Sequence, residues 1–146
     1  MIYGKAFSLL KKQFIKEWSL YTNHRFIKKL SNNTLEKKVF INYLIQDYLF
    51  LNQFSKAWAL AIVKADSLNE MKLSAKTVNE IVNFEMKLHE KICTSYGITK
   101  KKLQNAEEKN KNIAYTRYVL ERGYSGDFLD LITALVPCII GYGEIG

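Results

Sequence analysis

The chain has 146 residues, 48% of them hydrophobic, with one proline and seven glycines; it can bury one core and has too few turn-forming residues for a strand-rich fold. Its formal charge of +8 comes from dispersed lysines (Lys11-Lys12, Lys28-Lys29, Lys37-Lys38, Lys100 to Lys102). There is no Arg-rich or aromatic nucleic-acid-reading motif, so nucleic acid is not an expected partner.

Residues 4–21, "GKAFSLLKKQFIKEWSLY", place Phe7, Leu10, Phe14, Trp18 and Tyr21 on one stripe, which predicts a first helix. "TNHRFIKKLSNNT" reads as a polar break, with Asn33 and Glu36 spaced as a capping box for the next helix. That helix is expected from Leu35 to about Ala65, with Phe40, Tyr43 or Leu44, Asp47, Leu51, Phe54 and Trp58 on one face. After "DSLNEMKLSA", Thr77 and Glu80 repeat the capping-box spacing and open a helix whose apolar side carries Ile81, Phe84, Leu88 and Ile92. Gly97 is expected to stop it, because only glycine enters the left-handed conformation without steric cost. A shorter helix over about Asn110 to Glu121 ends at Gly123, and Ser125 or Asp127 starts the last one. The expectation is one all-α domain.

Cys93 and Cys138 form no CxxC, and the amino terminus lacks an apolar core followed by a small-residue cleavage site; both point to a cytoplasmic protein with reduced thiols. The longest apolar run, "FLDLITALVPCII", is interrupted by Asp130 and is too short to span a bilayer, so no membrane is expected.

Three constellations could carry chemistry. Asp47 is the one polar residue on a long apolar face; a carboxylate there is either tied to a Tyr or Lys of a neighbouring helix or holds a ligand. Glu85 and His89 stand at i and i+4, a spacing that two metal ligands share, yet two ligands make a poor site and the repeated Glu-x-x-His of a di-iron bundle is missing. No metal or cofactor is expected. Cys138 and Tyr142 also stand at i and i+4, beside Pro137; by itself this cysteine reads as packing, with nucleophile as the other reading.

Taken in order, "NHRFIKKL", "NNTLEKKVFINYLIQDYLFLNQFSKAWALAIVKA", "FEMKLHE", "AYTRYVL" and "GDFLDLITALVPCIIGYGEIG" resemble the TenA family of thiaminase II-type aminopyrimidine aminohydrolases, of the heme-oxygenase-like helical bundle fold. The resemblance implies hydrolysis of aminopyrimidine thiamin-degradation products in thiamin salvage, with a small-molecule pyrimidine as substrate and homo-oligomers, dimers or tetramers, as the assembly. It implies that Asp47 holds the ring through a ring nitrogen and the exocyclic amine, that Tyr115 stacks on it, that Cys138 is the nucleophile and that Tyr142 lies beside the thiol. Where the family usually has a tyrosine, Phe50 keeps the ring and loses the hydroxyl. The family's further helices, with another pyrimidine-contacting tyrosine and a carboxylate acting as general acid/base, fall past Gly146, so the domain over 1–146 is expected to be incomplete at its C-terminus. The alternative is an inactive remnant that binds a pyrimidine or a protein partner.

Overall fold

Long stretches without proline let the backbone satisfy its own hydrogen bonds locally, and each helix stops where a short polar or glycine-containing segment intervenes. The computed structural model describes residues 3–146, and every regular element among them is helical. They are α1 (Lys5–Gln13), α2 (Ile15–Thr22), α3 (Arg25–Ser31), α4 (Lys37–Lys64), α5 (Leu68–Glu80), a π turn (Ile81–Glu85), α6 (Met86–Ser95), α7 (Lys100–Gln104), α8 (Asn110–Ser125) and α9 (Phe128–Ile145). The chain divides into two compact units.

The larger unit comprises Lys37–Ala134. Its axis is α4, against which α5, the π turn, α6, α7 and α8 all pack. Leu44 and Tyr48 of α4 meet Cys93, Ile98 and Leu103 in one buried cluster, flanked by Phe40, Ile41, Met86 and Ile92. Removing such apolar side chains from water supplies about 1.5–3 kcal/mol each, and this burial holds the helices around α4. The expected face of α4 is borne out: Leu44, Leu51 and Trp58 are buried, and Phe40, Tyr43, Asp47 and Phe54 are partly buried beside them.

Three local expectations in this unit are corrected. The capping box belongs to Ser67 and Glu70, whose side chains satisfy each other's backbone N–H groups, so α5 begins within the segment read as a break. Thr77 sits mid-helix and donates its hydroxyl to Leu73 O at 3.0 Å. The helix does not stop at Gly123, because that glycine is buried where α8 meets its neighbours: an added Cβ would lie 2.6 Å from Leu60 Cδ2 and 3.0 Å from Leu131 Cδ1. Gly123→Ala should therefore lower the melting temperature, since overpacking costs about 1–3 kcal/mol and exceeds the roughly 1 kcal/mol of helix propensity that alanine adds. A thermal melt that rises or stays level would contradict that packing.

The third correction concerns the run from α5 through α6. Phe84 and Leu88, expected on the apolar side, are 65% and 59% exposed. The buried and part-buried positions run Ser74, Val78, Ile81, then Met86, His89 and Cys93. The five-residue step from 81 to 86 coincides with the π turn, whose extra residue rotates everything after it by about 100°. Gly97 does stop α6, at φ 77: Gly97 N–H donates to Thr94 O and Ile98 N–H to Cys93 O, the Schellman arrangement. Asp127 caps α9, accepting from Asp130 N–H at 2.9 Å, while Asp130 Oδ2 accepts from Asp127 N–H at 3.2 Å.

The smaller unit combines the segment through Glu36 with Leu135–Gly146, so α9 contributes to both units. The expected first helix is two, α1 and α2, separated at Phe14. Of its stripe, Phe7 is buried and Trp18 and Tyr21 are partly buried, whereas Leu10 and Phe14 face solvent, because the break at Phe14 ends the common register. The polar break contains α3, capped by His24, which accepts from Phe26 N–H. Asn33 is not an N-cap: at φ 58 it forms a left-handed turn after α3, which asparagine tolerates better than other side chains.

Edge-to-face contacts link Tyr3 to Phe7, Phe7 to Trp18 and Trp18 to Tyr21, and Gly141 leaves room for the Tyr21 ring, which an added Cβ would overlap. Glu144 ties the end of α9 in: Lys11 Nζ lies 2.6 Å from Oε1, and Trp18 Nε1 donates to Oε2 at 2.8 Å. The hydrogen bond from Lys11, then that from Trp18, hold the Glu144 carboxyl below its usual value. A folded-state value below the unfolded one means that this contribution is complete above the ordinary glutamate range and is lost as pH falls through the lowered value. Between pH 6 and pH 3 the wild type should lose more melting temperature than Glu144→Gln; equal losses would remove Glu144 from the account.

At 18 residues α9 extends beyond the apolar run noted in the sequence and, by length and composition alone, could cross a membrane. Its carboxylates are engaged within the protein: Asp130 with Arg122 at 3.2 Å and Glu144 with Lys11.

Candidate functional site

The middle of α4 carries Asp47, Phe50 and Phe54 at spacings of three and four, so they follow one another along one face. Tyr115 of α8 stacks on Phe50, with ring centroids 6.3 Å apart and planes at 19°, and Phe50 stacks on Phe54 at 5.2 Å and 22°. The Tyr115 hydroxyl donates to Ala134 O at 3.2 Å, which fixes the ring's edge. Three near-parallel aromatic rings thus form a wall beside the carboxylate of α4. A flat heteroaromatic ring fits such a wall through offset stacking, worth about 0.5–1.5 kcal/mol beyond area burial.

Near Asp47 lies His89, whose Nδ1 is 3.6 Å from Asp47 Oδ2. The other ring nitrogen, Nε2, lies 2.7 Å from Leu44 O. A carbonyl oxygen only accepts, so Nε2 carries the proton of that bond. His89 is 9% exposed, and Glu85 is exposed, so the pair at i and i+4 does not converge on one point; the π turn separates their faces. Among the described residues no group of three or more His, Cys, Asp or Glu could hold a metal ion.

Beyond His89 in the same core, burial first, and then the charges of Asp47 and Glu90, push the Cys93 thiol up. It stays protonated at neutral pH and is packing. Tyr48 is likewise pushed up, by burial first and then by Glu90.

Cys138 and Tyr142 lie on the part of α9 that belongs to the smaller unit. Cys138 is 7% exposed and Tyr142 is 48% exposed, and the Cys138 thiol donates to Leu135 O at 3.0 Å. A thiol that donates is protonated, so nucleophilic use requires that this proton leave first. Pro137, immediately before it, has no N–H to return to the carbonyl four residues earlier. The larger unit thus brings together three of the sequence-derived site residues, Asp47, Phe50 and Tyr115, and adds His89.

Residues 12–146 match the TENA/THI-4/PQQC family. The chain belongs to that family. Among curated TenA relatives, an aminopyrimidine aminohydrolase of Halalkalibacterium halodurans is 35% identical over 88% of this chain and 58% of its own length. One of Helicobacter pylori is 36% identical over 83% of this chain and 56% of its own length. The crystal structure of a TenA family transcription regulator from Silicibacter sp. TM1040 superposes with a TM-score of 0.95 at 51% identity, covering 98% of this chain and 64% of that one. The all-α, TenA-type helical fold expected from the sequence is therefore borne out. The chain spans a little under three fifths of the length of these two curated relatives.

Proposed function

We propose that this protein binds a 4-aminopyrimidine derived from thiamin and takes part in its hydrolysis in thiamin salvage. The observation that carries the reading is a carboxylate, Asp47, beside the stacked rings of Phe50 and Tyr115 in a chain of the TENA/THI-4/PQQC family. A 4-aminopyrimidine offers a ring nitrogen and an exocyclic amine on one edge and a π face on either side, and a carboxylate beside an aromatic wall matches both. Asp47 accepts from the exocyclic amine and from the ring nitrogen in its protonated form, and that ring proton draws electron density from the ring. Phe50 and Tyr115 take its face, and Phe50, lacking a hydroxyl, contributes stacking alone.

Cys138 is the proposed nucleophile and Tyr142 its positioning neighbour. The thiolate adds to the electron-poor ring carbon next to the one that carries the aminomethyl group; the amine leaves that methylene with a proton as ammonia, water adds to the methylene carbon, and the cysteine is expelled as the ring regains its aromaticity. Dividing one displacement into two steps lowers each barrier. The names of the two aminohydrolase relatives support this reaction class. The chain works in the cytoplasm as a homo-oligomer, with no cofactor.

Phe50→Tyr tests the stacking role. It should leave affinity for 4-amino-5-aminomethyl-2-methylpyrimidine within about threefold or improve it by up to about tenfold, as one added hydrogen bond would; Phe50→Ala should weaken binding. Calorimetric titration in which Phe50→Ala binds as wild type would remove the aromatic wall from the site.

A further inference from the structure

Gln46 of α4 uses both ends of its side-chain amide on the segment that leads into α8. Its Nε2 donates to Glu107 O at 2.9 Å, and its Oε1 accepts from Lys109 N–H at 2.9 Å. A carbonyl only accepts and a backbone N–H only donates, so these partners fix which way round the amide lies. Lys109 is the N-cap of α8, and its own side chain makes no capping bond; Gln46 reaches from another helix to satisfy one of the donors that the first turn leaves open. Asn112 completes the junction from the α8 side, donating Nδ2–H to the Gln46 carbonyl at 2.9 Å.

Both sides of this junction lead to the aromatic wall. One turn along α4 from Gln46 is Phe50, and one turn along α8 from Asn112 is Tyr115, which stacks on it. Glu108, between the two clamped residues, ties the segment to the body of α8: Arg117 Nη1 and Nη2 donate to its Oε1 and Oε2 at 3.1 and 2.6 Å. A displacement of residues 107–109 is thus passed to the helix rather than absorbed ahead of it. At the far end Lys64 Nζ donates to Gly126 O at 2.7 Å, so α4 holds α8 at both ends, and Tyr115 lies near the Gln46 end. A slip of one residue would move Tyr115 by about 1.5 Å along the axis and about 100° around it, off the face of Phe50.

We propose that Gln46 is a positioning residue for the ligand site: by clamping Glu107 O and Lys109 N–H it sets the register of α8 on α4, and so holds the Tyr115 ring parallel to Phe50 for the pyrimidine. This rests on the reading of Phe50 and Tyr115 as the wall that takes the pyrimidine's face. Gln46 acts through Tyr115 and not on the ligand itself. Its two side-chain bonds lie at the solvent edge, where water replaces a lost partner at modest cost. Water does not replace the fixed spacing between two helices. The loss of Gln46 therefore falls on the site more than on the fold, because a site that is competent for only a fraction of the time binds more weakly by that fraction.

Gln46→Met keeps the length of the side chain and removes both of its bonds. In calorimetric titration with 4-amino-5-aminomethyl-2-methylpyrimidine it should weaken affinity by about five- to tenfold. The Tyr115 ring signals, identified in labelled-tyrosine NMR spectra by their absence from Tyr115→Phe, should lose the ring-current shift that Phe50 gives them. Asn112→Ala, which breaks the third bond from the α8 side, should move both readouts the same way. Lys64→Met loosens the other end of α8 and should lower the melting temperature while changing affinity by less than about twofold. Because Gln46 acts through Tyr115, adding Gln46→Met to Tyr115→Ala should weaken binding by less than about twofold more. Gln46→Met binding as wild type with the Tyr115 signals in place, or weakening affinity equally with and without Tyr115, would overturn the positioning role. Tyr115→Ala binding as wild type would overturn the stacking reading itself, and this proposal with it.

Discussion

Asp47→Asn should weaken binding of 4-amino-5-aminomethyl-2-methylpyrimidine by one to two orders of magnitude while leaving the circular dichroism spectrum unchanged. Asparagine is nearly isosteric, so α4 and its packing survive; what disappears is the charge. Hydrogen bonds to a charged group contribute about 1.5–3 kcal/mol each where neutral ones contribute about 1, and the amide's nitrogen places a donor where the exocyclic amine needs an acceptor. The substitution also removes the ion-pair partner of His89. That contact is too long to be a strong hydrogen bond, so stability should change by less than affinity does. Isothermal titration measures the first quantity and a thermal melt the second. An affinity loss below about threefold would mean that the carboxylate is structural and that its place beside Phe50 and Tyr115 has no functional meaning.

Cys138→Ser should abolish turnover, by about a thousandfold or more, with affinity for the same pyrimidine changed by less than about threefold. Sulfur and oxygen differ little in size here, and the serine hydroxyl can still donate to Leu135 O as the thiol does. Its alkoxide is far less accessible at neutral pH than a thiolate, so covalent addition to the ring fails while docking does not. Cys93→Ser is the internal control: its thiol is buried in the core with Leu44 and Tyr48, and replacing it should cost stability without touching the chemical step. Ammonia release at saturating substrate separates the two variants. A Cys138→Ser chain that turns over as fast as wild type would remove covalent catalysis from the account.

Asp47 was legible in the sequence because a single charged residue interrupts the long apolar face of α4, and no arrangement of helices makes that free of consequence. Tyr115 and Phe50 were legible by resemblance, and α8 brings the first onto the second. His89 was not. The sequence after Thr77 offers two apolar stripes, one through Phe84 and Leu88 and one through Met86, His89 and Cys93. The more hydrophobic stripe wins if the helix is regular, and only the π turn exchanges them. Local signals misled where one pattern serves two ends. Ser67 with Glu70 and Thr77 with Glu80 both satisfy the capping-box spacing, and the packing of α5 along α4 selects the first. Gly123 resembles a helix stop, yet its missing Cβ admits Leu60 and Leu131. Gly97 has the same composition cue and does stop its helix, because the backbone there turns left-handed.

The most direct test of the central claim is a crystal structure of the protein with 4-amino-5-aminomethyl-2-methylpyrimidine bound. The account predicts the pyrimidine edge within hydrogen-bond distance of the Asp47 carboxylate and its face against the Phe50 and Tyr115 rings. A pyrimidine bound elsewhere, with Asp47 still facing only protein groups, would contradict it.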